Sequence, residues 1–140
     1  MFDISTLGAD ETAAIHLKDA QGAHLHGADD KPCRIILYGP ASKKFQAVAD
    51  RQTARAVRRM QENDNKVTVA PPEQRRKEEA EDLAELTVGF ENFTYAPAGA
   101  AQGSELFTAL YLDPKLGFIT RQVAKAVGEW GNFTNGSAAA

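Results

Sequence analysis

Three histidines, His16, His24 and His26, lie within eleven residues of one another. His-x-His on an extended segment puts two imidazoles on one side. With Asp19 or Asp29 they would approach the three or four ligands that a zinc ion needs. The competing reading is a solvated hairpin with incidental histidines; it is the one expected here, with no metal and no cofactor. Cys33, the single cysteine, lies inside the most strand-like stretch and reads as a small buried side chain rather than a nucleophile. Asp113, close to Tyr111, is explained by helix capping. There is no glycine-rich phosphate loop, no serine in an activating context and no carboxylate pair beside a histidine, so catalysis is not expected. Arg51, Arg55, Arg58 and Arg59 recur at i, i+4, i+7 and i+8, as on a helix face that tracks a phosphate backbone. No aromatic side chains interleave with them, and an acid-paired or solvated face is expected instead of a nucleic-acid site.

Composition sets the class in which these residues must work. The chain has 140 residues, 43% hydrophobic and 25% charged, which is ordinary for a globular protein. A formal net charge of −3 implies neither a nucleic-acid binder nor a strongly acidic tail. One cysteine fits a reducing cytoplasm. Residues 1–20 carry Asp3, Asp10 and Glu11 without a long apolar run, so no secretory signal is expected. No window approaches the ~18 apolar residues of a membrane span, and no membrane partner is expected. The sequons at Asn92, Asn132 and Asn135 then read as chance matches.

The elements follow from local chemistry. Ala13 to Leu17 is strand-like, Asp19 to Gly22 supplies a turn with a glycine free to take positive φ, and Ala23 to His26 returns antiparallel. Cys33 to Tyr38, β-branched and aromatic between Pro32 and Gly39-Pro40, is the clearest strand. A meander this small needs a helix packed on it. Ser42 is a good N-cap for a helix over 42–63, with Phe45, Val48, Ala49, Ala56, Val57 and Met60 as its inner face. That helix is basic, with six Lys and Arg against Asp50 and Glu62 over residues 43–63. Pro71-Pro72 starts a second helix over 73–90, which is acidic, with seven carboxylates against Arg75, Arg76 and Lys77 over residues 73–91. The two are expected to pack antiparallel, their charges setting orientation more than stability.

Residues 92–103 read as a loop. Ser104 is expected to cap a helix over 104–112, and Asp113-Pro114 to start another over 114–131. Residues 134–140 have nothing to bury and read as a disordered tail. The expected fold is therefore α+β: one domain over 1–133, with an N-terminal antiparallel β-meander of about three strands within 13–39 and about four α-helices after it. Phe107, Tyr111, Ile119, Val123, Val127, Trp130 and Phe133 make a long apolar stripe across the last two helices. They are the candidate partner-binding residues, containing both core anchors and part of an exposed groove.

Three blocks carry a further signal: Asp30 to Ser42, DKPCRIILYGPAS; Asp82 to Phe93, DLAELTVGFENF; and Leu110 to Pro114, LYLDP, followed by Ile119, Gln122-Val123 and Asn132-Phe133. In this order, over roughly residues 10–133, they resemble the tail assembly chaperone family of long-tailed bacteriophages and prophages. Phe90 departs from the tryptophan usual near that position. The resemblance implies a non-enzymatic factor that coats the tape-measure protein, keeps it soluble and recruits tail-tube protein in the host bacterial cytoplasm. It also implies self-association and, in many such phages, a frameshift that appends a second domain near the end; residues 134–140 would be a reasonable junction. The alternative is a minor tail or head–tail connector protein retained in the virion. A third class, a DNA-binding regulator, rests only on the basic helix.

Overall fold

A computed structural model describes residues 1–64, 66 and 70–134. Its framework is a three-stranded antiparallel sheet in the order β1-β2-β3, made of β1 (Thr12–His16), β2 (Arg34–Tyr38) and β3 (Thr87–Glu91). β2 lies in the middle because it is the most β-prone segment of the chain. Ile35 and Leu37 are fully buried, whereas Arg34, Ile36 and Tyr38 on the other face are only half-buried. The described residues include four α-helices, α1 (Lys43–Glu62), α2 (Pro72–Glu85), α3 (Ser104–Leu112) and α4 (Gly117–Ala126). The α+β expectation holds.

The third strand is not where the sequence placed it. Ala23–His26 forms only isolated bridges, Lys18 to His24 and His26 to Pro32. The turn before it is as expected: Gly22 takes φ +92°, and the Asp19 carboxylate accepts from the backbone N–H groups of Gln21 and Ala23 at 2.9 and 3.0 Å. The third strand comes from residues expected to end the acidic helix. Thr87-Val88-Gly89-Phe90 contains four poor helix formers in succession, and β2 offers them a ladder. Helix α2 therefore stops at Glu85, and Tyr38 N–H donates to Leu86 O at 2.7 Å. A register shift between Ile36 and Leu37 sets Ile36 opposite Gly89 and Leu37 opposite Thr87, with Val88 the extra residue of a bulge.

The remaining differences are local. Ser42 caps α1 as expected, its hydroxyl accepting from Phe45 N–H at 3.1 Å and donating to Gly39 O at 2.7 Å. The N-cap of α3 is Gly103, at φ +61°, and Ser104 is its first helical residue. The helix expected over 114–131 divides into a 3₁₀ turn at Pro114–Leu116, α4 and a second 3₁₀ turn at Trp130–Phe133. Gly128 and Gly131 weaken helix continuation, and Asn132 Nδ2 donates to Ala126 O at 3.2 Å, satisfying a terminal carbonyl. Asp113 caps as expected, accepting from Lys115 N–H at 3.0 Å and from the Tyr95 hydroxyl at 2.8 Å. Beyond Thr134, the expected tail lies outside the described residues.

The core sits between one sheet face and α2, α3 and α4, where Phe133, Ile35, Leu37 and Val123 are the largest fully buried side chains. Phe133 closes it: its ring occupies the space a Cβ on Gly39 would need, and its carbonyl accepts from Asp10 N–H at 2.6 Å. Tyr111 lies beneath, its hydroxyl 2.6 Å from Thr87 Oγ1, which in turn donates to Leu83 O at 2.8 Å. Burial pushes the Tyr111 phenol pKa far up, so this hydroxyl remains a proton donor to Thr87.

Candidate functional site

Helices α1 and α2 lie antiparallel along a ladder of ion pairs. Lys44 meets Glu85 at 3.6 Å, Arg51 meets Asp82 at 2.7 Å, Arg55 meets Asp82 at 3.0 Å and Glu78 at 3.7 Å, and Arg59 pairs with Glu78. Asp82 is the hub, because its buried carboxylate also accepts from Gln52 Nε2 at 3.1 Å. Burial raises its pKa, but the hydrogen bonds from Arg55, Arg51 and Gln52 outweigh that penalty and hold it below the ordinary carboxylate range. The basic face is thus largely acid-paired, as the opposite helix charges imply. Arg58 alone of the four arginines is not in this ladder.

Beside the ladder, α1, α2 and α4 enclose an open groove of about 420 Å³. Its apolar lining comes from Phe45 and Val48 on α1, Leu83 and Leu86 at the end of α2, and Ala124 and Val127 at the end of α4; Glu79 and Arg75 add charge. The expected inner face of α1 is buried only at its start. Val48 is buried and Phe45 and Ala49 are half-buried, while Ala56, Val57 and Met60 are exposed. The distal half of α1 is held to α2 by long charged side chains, which keep the backbones apart and leave its apolar stripe uncovered. The lining of the groove on α1 ends at Arg55, and beyond it Ala56, Val57 and Met60 are exposed.

The expected partner-binding residues divide between core and surface. Phe107, Tyr111, Ile119, Val123 and Phe133 are buried with the core, the core-anchor part of that expectation, although Phe107 and Tyr111 also line shallow surface pockets. Val127 is buried as well but lines the groove. Trp130 is the exception at 58% exposure, two residues beyond Gly128, which also lines the groove. The stripe was real, but the sheet and α2 cover it. The groove is hidden in the sequence because the apolar residues of α1 read as an inner face; their alternation with six basic residues is the available signal.

The other candidates are committed to structure. The His16 and His24 rings stack with centroids 4.3 Å apart, His26 meets His16 edge-on at 4.9 Å, and His16 Nε2 donates to Leu25 O at 2.8 Å. Desolvation, then the charges of His16, Lys18 and His26, lower the His24 pKa. Among the described residues, no group of three or more His, Cys, Asp or Glu is placed to hold a metal ion. Cys33 is buried, with Sγ 3.6 Å from Asn92 O. No helix among the described residues is long and apolar enough to cross a membrane. Comparison with family models, curated proteins and solved structures returned no match to the chain.

Proposed function

We propose that this chain is a non-enzymatic assembly chaperone of the phage tail type, binding a long amphipathic helix of a tape-measure protein in the host cytoplasm. The observation that carries the reading is the groove between α1, α2 and α4, with the exposed Val57 and Met60 farther along the same helix. An amphipathic helix lays its apolar face into a groove of this kind, with anchors at i, i+3, i+4 and i+7. The ordered blocks at 30–42, 82–93 and 110–133 support the same assignment by resemblance. Trp130 fits an anchor at the groove's end, since exposed tryptophans concentrate binding energy when a partner covers them. In this reading the tail-tube protein is recruited to the coated helix, and the chaperone leaves before the tail is complete.

Co-expression with the tape-measure protein of the same gene cluster tests the proposal. Rescue of that protein into the soluble fraction is expected, and failure to rescue it overturns the reading. Mass spectrometry of purified tails separates the virion alternative: a chaperone is absent, and a structural component is present at fixed copy number.

A further inference from the structure

Helix α4 carries Arg121 and Lys125 and no Asp or Glu. Both are exposed, and both line a second, shallow groove of about 310 Å³ between α4 and the Lys18–Gly22 turn. Phe118, Arg121, Gln122 and Lys125 stand at i, i+3, i+4 and i+7 on one flank of the helix, a different flank from Ala124 and Val127 of the first groove. Lys18, also exposed, lines the opposite wall.

The two walls are fastened to each other before any ligand arrives. Lys18 N–H donates to Gln122 Oε1 at 2.8 Å, and Gln122 Nε2 donates to Lys18 O at 2.7 Å. A partner therefore need not order the groove, and that cost of binding is avoided. Its charge is left uncovered. Where α1 meets α2, Lys44, Arg51, Arg55 and Arg59 all find carboxylates, whereas among the described residues Lys18, Arg121 and Lys125 enter no ion pair. The one acid lining the groove is Asp19, whose Oδ1 accepts from the Gln21 and Ala23 N–H groups of its own turn. Three cations thus stand against one carboxylate around the half-buried Phe118 ring.

We propose that this face binds a short acidic segment of a partner protein, with an aliphatic side chain over the Phe118 ring and carboxylates on Lys18, Arg121 and Lys125. Charge complementarity selects the class of occupant, and the ring selects within that class. From Phe118 to Lys125 the helix wall is ~10 Å long at ~1.5 Å per residue, the reach of three or four extended residues. That length places one apolar anchor between acids. A nucleic-acid strand fits less well, because three cations release few counterions and one ring offers one stacking site, with Asp19 beside it. The face is separate from the α1/α2/α4 groove and is read on the purified chain with a synthetic peptide. It therefore stands or falls apart from the chaperone proposal.

Fluorescence anisotropy of a labelled peptide made of Glu-Glu-Leu repeats tests it. At low salt a dissociation constant on the order of 50 μM is expected for so small a contact. In about 1 M salt, where the Debye length is ~3 Å, the affinity is expected to fall about tenfold or more. Lys18→Glu/Arg121→Glu reverses one charge on each wall and is expected to weaken binding about tenfold or more, with an unchanged melting curve because both side chains are exposed. Lys43→Glu/Arg58→Glu makes the same change of net charge at exposed positions of α1 and is expected to bind as the parent does. A peptide with Ser in place of Leu is expected to bind about tenfold more weakly, the ring having lost its apolar partner. No binding by the parent, equal losses in the two variants, or a serine peptide bound as tightly as the leucine peptide would each overturn the proposal. Tighter binding of an oligothymidine of equal length would assign the face to nucleic acid and overturn it too. So would a Lys18→Glu/Arg121→Glu variant that keeps its peptide affinity but loses self-association in sedimentation, which would assign the face to a second copy.

Discussion

Asp82 shows how a single carboxylate orders two helices. It joins Arg51, Arg55 and Gln52 across the α1–α2 contact from a buried position. Asp82→Ala is expected to cost about 2 kcal/mol, the scale of hydrogen bonds to a charged group. The cost is below that of a wholly buried pair, because Arg51 can turn back to water. Chemical denaturation at neutral pH measures it. The pH dependence has a definite sign. Because folding lowers the Asp82 pKa, its contribution is complete above the unfolded value of about 4 and is lost as pH falls through the lower folded value. Stability differences between parent and Asp82→Asn should therefore shrink as the pH drops below about 4. At Tyr111, removal of the hydroxyl by Tyr111→Phe leaves Thr87 still donating to Leu83 O, so a loss of only about 1 kcal/mol is expected in the same assay.

Among the elements, α1 is the one whose two halves differ. Its start is packed through Phe45 and Val48, while its distal half is held to α2 by Arg55 and Arg59 on Glu78 and Asp82. Raising salt to about 1 M screens partly exposed pairs and leaves apolar burial in place. Hydrogen exchange in high salt should accordingly speed up in residues 53–62 while β2 stays protected. Capping chemistry made the start of α1, the Asp113 turn and the β2 strand legible from residue types alone. The opposite charges of α1 and α2 likewise foretold the ion ladder. The end of α2 is only half legible in the same way: Thr87 to Phe90 are poor helix formers, but their apolar character suits a helix end as well as a strand until β2 pairs with them. Nor could the sequence say which apolar stripe remains uncovered. The Phe107–Phe133 stripe has more hydrophobic residues than α1, but the sheet and α2 bury it, and no local signal reveals that.

At the scale of the whole molecule, a small core closed by Phe133 carries two kinds of uncovered apolar surface: the distal α1 side chains Val57 and Met60, beyond the 420 Å³ groove, and the N-terminal residues Phe2, Ile4 and Leu7. Trp130 belongs with the first. Trp130→Ala is expected to change folding stability by no more than about 0.5 kcal/mol, since the ring is mostly exposed, while weakening capture of the partner helix. Thermal melting and pull-down of the tape-measure protein, run on the same variant, separate the two effects. The most direct measurement is co-expression of the tape-measure protein with the parent chain and with Val57→Glu/Met60→Glu, which charges the free face of α1 without entering the core. The parent should bring the tape-measure protein into the soluble fraction, and the folded variant should not. A tape-measure protein that stays insoluble with the parent, or is rescued equally by both, would contradict the account.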